Sequence, residues 1–278
     1  MKIEELINVK DYAVIVTGAA SGIGLGYAEA MAENGARVTM LDVNGAMLEQ
    51  EVARLQGLGY AVRGAVLDVS DHPALDQTFD DAVREYGRLD VVFANAGVDS
   101  GPGFYNNWAG PGQVRMEEGA LENYTDERWN RVIDINLNGV FATLRAAARH
   151  MRPQKSGRII VTTSLAATIC ETAIGDAYMT AKAGAAHLVR NVALELAAYN
   201  ITVNAIAPGF IVTNIGGGHA KNPEVQQALG KMVPMLRVGF PEDLKGLALF
   251  LASPGSSYIT GQEIVIDGGR KLGEGYAA

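Results

Sequence analysis

The amino-acid sequence predicts an α/β fold: a doubly wound parallel sheet of about seven strands with helices on both faces. Three observations carry this. Short apolar runs alternate with helical segments along almost the whole chain, the pattern of repeated strand–helix–strand units. The first apolar run leads straight into a glycine-rich turn and then a helical segment, an order that turns backbone N–H groups toward a bound phosphate. The chain has 278 residues, 48% of them apolar, and no internal repeat, low-complexity tract or linker, so one domain over residues 1–278 is expected.

The first strand is predicted over residues 12–17, ending at Thr17. It opens into Gly18, Ser21, Gly22, Ile23 and Gly24, ahead of a helix over 25–33. Glycines let backbone approach a ligand closely. Their spacing here is Gly-x-x-x-Gly-x-Gly, not the commoner Gly-x-Gly-x-x-Gly. A second strand over 38–42 ends in Asp42, 18 residues after Gly24. An acid so placed accepts hydrogen bonds from an adenosine ribose and repels a 2′-phosphate; it could also cap the next helix. The turn, at Ser21, has no basic residue to hold an extra phosphate, and these features together favour NAD over NADP. A helix over 45–58 precedes a third strand over 61–67, with Asp68 and Val69 placed to meet an adenine edge. A helix over 74–86 leads to a fourth strand over 89–94, closed by Asn95, Ala96 and Gly97.

Residues 99–122 break this rhythm with five glycines, two prolines, Phe104, Tyr105 and Trp108. The excursion leaves a strand's C-terminal end, where α/β proteins bind ligands, and long loops of this kind are usually functional. A substrate lid and a subunit contact are the two alternatives. Three aromatics left in water would expose a sizeable apolar surface, and we expect a lid. One long helix follows over 125–151, with Asp126 and Glu127 suited to its first turn and Asn136 and Asn138 interrupting its apolar stripe. A fifth strand over 158–164 ends at Ser164, and the helix over 176–199 carries Tyr178 and Lys182. A sixth strand over 201–207 runs into Pro208, Gly209, Phe210, Ile211 and Thr213. An irregular segment with a short helix, a last helix over 241–252 and a seventh strand over 263–266 complete the chain.

Tyr178 and Lys182 lie four residues apart, a spacing that puts both on one helix face. A phenol, with an ordinary pKa of about 10, is a poor acid–base group at neutral pH. A neighbouring ammonium favours the phenolate and is expected to lower that value. Other chemistries are disfavoured. The net charge is −8 without a long basic run, which argues against nucleic acid. Cys170 is the only cysteine, and the four histidines lack ligand spacing, so neither a disulfide nor a metal site is expected. Residues 1–5 do not resemble a secretory signal, and no apolar stretch reaches the roughly 18 residues of a membrane span. A cytoplasmic protein with no membrane partner is expected.

From about residue 10 to 270 the chain resembles the short-chain dehydrogenase/reductase family. The resemblance rests on Thr17-Gly18-x-x-x-Gly22-x-Gly24, Asp68-Val69, Asn95-Ala96-Gly97, Asn136, Ser164, Tyr178-x-x-x-Lys182, Pro208-Gly209 and Asp267-Gly268-Gly269, in that order. It implies a single Rossmann-type domain, a nicotinamide cofactor and usually a homotetramer. It also implies that Tyr178 is the acid–base residue and that Ser164 holds the same substrate oxygen. Lys182 would lower the tyrosine's pKa and bind the nicotinamide ribose. Asn136 would anchor a water leading protons to solvent, and Thr213 would meet the carboxamide. Two departures stand out: Ser164 lies 14 residues before Tyr178, one more than usual, with Thr163 as its neighbouring candidate, and the loop after Gly97 is longer than usual. Leu165, Cys170, Ile174, Phe210, Ile211 and Ile215 are the pocket candidates, with Tyr105 and Trp108 if the loop folds over. Their apolar character points to a hydrophobic or cyclic small-molecule substrate. The expected function is an NAD-dependent oxidoreductase of a secondary alcohol or ketone. The alternatives are an NADPH-linked 3-oxoacyl-carrier reductase of the same fold, or a non-catalytic NAD-binding sensor or scaffold.

Overall fold

The computed structural model describes residues 2–106 and 114–275. Trp108 lies outside the described residues. After a single helical turn, α1 (Ile3–Leu6), the chain lays down β1 (Ala13–Thr17), α2 (Gly22–Glu33), β2 (Arg37–Asp42), α3 (Gly45–Gly57), β3 (Val62–Val66), α4 (His72–Tyr86) and β4 (Val91–Ala94). A two-stranded antiparallel hairpin, β5 (Tyr105–Asn106) and β6 (Val114–Arg115), interrupts it. Then come α5 (Asp126–Ile133), α6 (Gly139–Gln154), β7 (Gly157–Thr162), α7 (Asp176–Leu196), β8 (Ile201–Pro208), α8 (Pro223–Lys231), α9 (Glu242–Ala252) and β9 (Glu263–Ile266).

Seven strands form one parallel sheet in the order β3-β2-β1-β4-β7-β8-β9. Alternate side chains of each strand enter opposite layers. Val14, Val16, Val91 and Phe93 pack with Tyr27, Met31, Leu48 and Leu251, under α2, α3 and α9. Ile15, Val92, Ala94 and Val161 pack with Phe79, Leu144, Met151 and Val189, under α4, α6 and α7. Both faces being covered, the central strands read as mostly apolar runs. Helix starts are capped locally: Asn44 accepts from Met47 N–H, Asp71 from Ala74 N–H and Thr125 from Arg128 N–H.

The long helix expected over 125–151 is two helices. Between α5 and α6, residues Asp134–Asn138 form a π-turn, closed by a bond from Gly139 N–H to the Asp134 carbonyl five residues back. The side chain of Asn136, inside that turn, bonds twice to the backbone of Val98, with its Oδ1 accepting from Val98 N–H and its Nδ2 donating to Val98 C=O, both at 2.8 Å. A π-turn widens the helix by one residue, and here it carries a fully buried asparagine to a loop needing both a donor and an acceptor.

The base of the 99–122 excursion is fastened at several points. Gly103 N–H donates to Ala173 C=O at 3.0 Å and Tyr105 N–H to Thr172 C=O at 3.1 Å, and Pro102 pairs with Ile174. The Arg128 guanidinium donates to the carbonyls of Ser100 (2.6 Å), Glu118 (2.6 Å) and Pro102 (2.5 Å), and lies 4.1 Å from the centre of the Tyr124 ring. Among the described residues no helix is long and apolar enough to cross a membrane.

Candidate active site

Strand order reverses between β1 and β4, and a cleft of about 750 Å³ opens beyond the C-terminal ends of the strands there. Its floor is a hydrogen-bonded lock across three neighbouring strands. Thr17 Oγ1 donates to Phe93 C=O and accepts from the N–H groups of Asn95 and Ala96 at 3.0 Å. Asn95 Nδ2 donates to the carbonyls of Thr17 and Gly18, and its Oδ1 accepts from Thr162 Oγ1 at 2.9 Å. Thr17 is therefore a buried strut outside the cleft lining, not a ligand contact as expected. Asn95, Ala96 and Gly97 do line the cleft.

Gly18, Ser21, Gly22, Ile23 and Gly24 form one wall at the start of α2. A Cβ on Gly24 would lie 2.0 Å from the Gly18 carbonyl oxygen and 2.5 Å from Asn95 Nδ2, so only glycine lets the turn close on the lock beneath it. Asp42, Asp68 and Val69 line the same cleft. Asp42 accepts from Ala20 N–H and Asn44 N–H, both at 2.9 Å, and Asn44, not Asp42, caps α3. Asp68 Oδ1 accepts from both the N–H and the hydroxyl of Ser70. The bare glycine wall, the helix start and the acid at the end of β2 fit a dinucleotide.

On the other side stand Ser164, Tyr178 and Lys182. Ser164 follows β7, and its hydroxyl accepts from Ala166 N–H at 3.1 Å and hydrogen-bonds Tyr178. The neighbouring Thr163 hydroxyl donates to Ile206 C=O inside the core, which leaves Ser164 as the hydroxyl beside Tyr178. Lys182 is 3% exposed; its Nζ donates to Thr162 C=O at 2.8 Å and sits 5.6 Å from the centre of the Tyr178 ring. Burial pushes the Lys182 ammonium down to about 8. Tyr178 departs from expectation: burial raises its pKa, the Ser164 bond opposes that, and the Asp99 carboxylate raises it further. Removal from water is the largest of these effects, and it favours the protonated phenol. Asn136 is 0% exposed and does not line the cleft; its amide holds the Val98 backbone, and a Cβ on Gly97 would lie 2.8 Å from its Oδ1.

Beyond β8, Pro208, Gly209, Ile211, Thr213 and Ile215 line the cleft. Leu165, Cys170, Ile174, Phe210 and Tyr105 do not. Leu165 is tucked inward at 4% exposure by the short turn after Ser164, Cys170 faces solvent, and Ile174 is paired with Pro102. In place of the expected apolar wall stand Val98, Asp99, Ser100 and Gly101 after β4, Glu118, Arg128 and Arg131 around α5, and Asn214, Gly216 and Gly217 after β8. The segments after β4 and β8 could have been found from the rule that ligands meet strand C-terminal ends. Nothing in the spacing pointed to Arg128.

A dinucleotide-sized cleft at the switch point of a doubly wound sheet, with a phenol, an ammonium and a hydroxyl in one wall, is the site of a nucleotide-dependent α/β oxidoreductase. Residues 18–271 match the family profile described as Enoyl-(Acyl carrier protein) reductase. The chain is 35% identical over 256 residues to a 3-oxoacyl-(acyl-carrier-protein) reductase of Chlamydia pneumoniae, covering 92% of this chain and 95% of the relative. It is 34% identical over 272 residues to 3beta-hydroxysteroid dehydrogenase 1 of Eggerthella lenta, covering 97% of each. The crystal structure of a short-chain type dehydrogenase/reductase from Mycobacterium marinum superposes with a TM-score of 0.82 at 33% identity, covering 97% of this chain and 99% of that one. The chain belongs to the short-chain dehydrogenase/reductase family and is an oxidoreductase of that family.

Proposed function

We propose that this protein is an NAD-dependent oxidoreductase interconverting a secondary alcohol and its ketone. The observation that carries the proposal is the convergence of Tyr178, Ser164 and Lys182 in the cleft that the glycine turn opens. The nicotinamide cofactor, when bound, supplies or accepts the hydride. Tyr178 gives its proton to the carbonyl oxygen or takes one from the alcohol. Ser164 hydrogen-bonds the same oxygen and holds the phenol in line. Lys182 uses one of its N–H groups on Thr162 C=O and keeps the others for a ribose hydroxyl and the phenol. Asn136 positions the site from behind by fixing the loop at Val98.

Asp42 supports NAD, because a carboxylate in that place accepts from a ribose hydroxyl and repels a phosphate. Asp99, Arg128, Arg131 and Asn214 share the lining with Ile211 and Ile215, and this mixed wall supports a small alcohol that carries a polar group beside its apolar part. The chain works as a homotetramer in the cytoplasm in this proposal, which light scattering of the purified protein checks for assembly. A second reading, an NADPH-dependent 3-oxoacyl-carrier reductase, is favoured by the similarity to the Chlamydia pneumoniae enzyme. Steady-state kcat/KM for a panel of secondary alcohols with NAD and with NADP, read by absorbance of the reduced cofactor, separates the two. A preference for NADP, with activity confined to a 3-hydroxyacyl thioester, would overturn the first in favour of the second.

A further inference from the structure

Asp99 lines the open end of the cleft together with Tyr178. It is half-buried, and Oδ1 accepts from Gly101 N–H at 2.5 Å. Among the described residues Oδ2 accepts no hydrogen bond and Asp99 has no ion-pair partner. Among the described residues three cations line the same cleft: Lys182, whose Nζ donates to Thr162 C=O, and two arginines. Arg128 is directed at three carbonyls, and Arg131, on α5, forms no ion pair with Asp99. Across from Oδ2 lies bare backbone. A Cβ at Gly216 would sit 3.7 Å from it, and Gly216, Gly217 and Gly218 all have positive φ, so side chains are disfavoured at all three. An acceptor oxygen with no partner among the described residues therefore stands in the cleft that also holds the group that handles the proton.

Resting on the oxidoreductase proposed above, we infer that Asp99 is a specificity-determining residue whose Oδ2 accepts a hydrogen bond from a second hydroxyl next to the reacting carbinol. Vicinal diols and their hydroxyketones are then preferred over mono-alcohols of similar size, and hydroxy acids are repelled. In oxidation the diol loses a hydride from its carbinol carbon to the oxidised cofactor and the proton of that hydroxyl to Tyr178, giving the hydroxyketone; the second hydroxyl is unchanged. A site built to bind a hydroxyl discriminates strongly against the analogue lacking it, because its own polar group is left unpaired.

The test is kcat/KM for 2,3-butanediol, 2-butanol and 3-hydroxybutyrate, with the wild type, Asp99→Asn and Asp99→Leu. The wild type should prefer the diol to 2-butanol by at least about tenfold, with 3-hydroxybutyrate the poorest. Asp99→Leu should lose most of that ratio. Asp99→Asn keeps the acceptor for Gly101 and puts an amide donor where Oδ2 was, to which the diol's second hydroxyl can still be an acceptor, so it guards against misfolding and should keep part of the preference while improving 3-hydroxybutyrate. It should also move the alkaline rise of alcohol oxidation to lower pH, because the carboxylate raises the Tyr178 pKa. Of the other ionisable groups in the lining, Lys182, Glu118, Arg128 and Arg131 are unchanged in both variants. A wild-type ratio near one that Asp99→Leu leaves unmoved overturns this inference and spares the oxidoreductase. A protein inert with all three compounds, and indistinguishable from Tyr178→Phe with either cofactor, overturns both.

Discussion

Tyr178 and Lys182 share a helix face, yet their ionisation is governed by the loss of water more than by each other. Tyr178→Phe removes one hydroxyl and nothing else. Turnover should fall by at least about a hundredfold, the lower end of what a positioned acid–base group contributes, while cofactor affinity, read by quenching of protein fluorescence, stays within about twofold. A tenth or more of wild-type kcat in this variant would show that another group moves the proton. Lys182 makes a different prediction, about stability. Its folded pKa of about 8 lies below the unfolded value of roughly 10.4. Between those two values the unfolded chain binds the extra proton, so this group makes stability rise as pH increases from 8 to 10 and imposes its full penalty below 8. At about 1.36 kcal/mol per unit the ceiling is roughly 3 kcal/mol. Lys182→Met should then be inactive but more stable than the wild type at pH 7, by about 1–2 kcal/mol once the lost Thr162 bond is set against the relief. Urea unfolding at pH 7, 8, 9 and 10 checks both the sign and the disappearance of the slope. A variant that is less stable at pH 7 and keeps the slope contradicts the assignment of that penalty to Lys182.

Among the elements, the π-turn at Asp134–Asn138 is where local sequence was least informative. The apolar spacing through Ile133, Leu137, Val140 and Leu144 fits one continuous helix. What widens it is a contact far away in sequence, the paired bonds from Asn136 to Val98. Asn136→Ala should leave the Val98 N–H and C=O without those partners, costing about 2–4 kcal/mol in urea unfolding, and should speed amide exchange at Val98. Strands β1 and β8 were legible because both faces of the sheet are covered and every residue in them is buried, which leaves short, mostly apolar runs. The glycine turn was legible for the same kind of reason, since a Cβ at Gly24 has nowhere to go. The substrate end was not. Its lining depends on how residues 102–105 pair with 172–174, and apolar side chains such as Leu165 and Ile174 that look like a pocket in the sequence are turned inward or into backbone pairing.

At the scale of the whole molecule, the cleft lies at the meeting of β1 and β4, so a ligand there touches segments from both halves of the sheet. Its binding should therefore stabilise the chain as a unit. NAD at about a hundred times its Kd adds about 2.7 kcal/mol by mass action, roughly 5 °C in melting temperature for a chain of this size. NADP at the same concentration should add clearly less, because of Asp42, and calorimetric scans with each cofactor decide it. Equal shifts would remove Asp42 from the choice of cofactor. The sheet and the glycine wall are held by contacts that tolerate almost no replacement, but the Arg128 clasp is different in kind. It holds the excursion through three main-chain carbonyls, at Ser100, Pro102 and Glu118, and so ignores which side chains those positions carry. Mutations at the exposed Glu118 can thus remodel the mouth of the cleft without loosening its attachment, whereas Ser100 is buried with its hydroxyl on Gly175 C=O and has no such freedom. A library varied at Glu118 alone should keep its folded fraction while its substrate range spreads, making this corner of the protein the natural place to teach it a new alcohol.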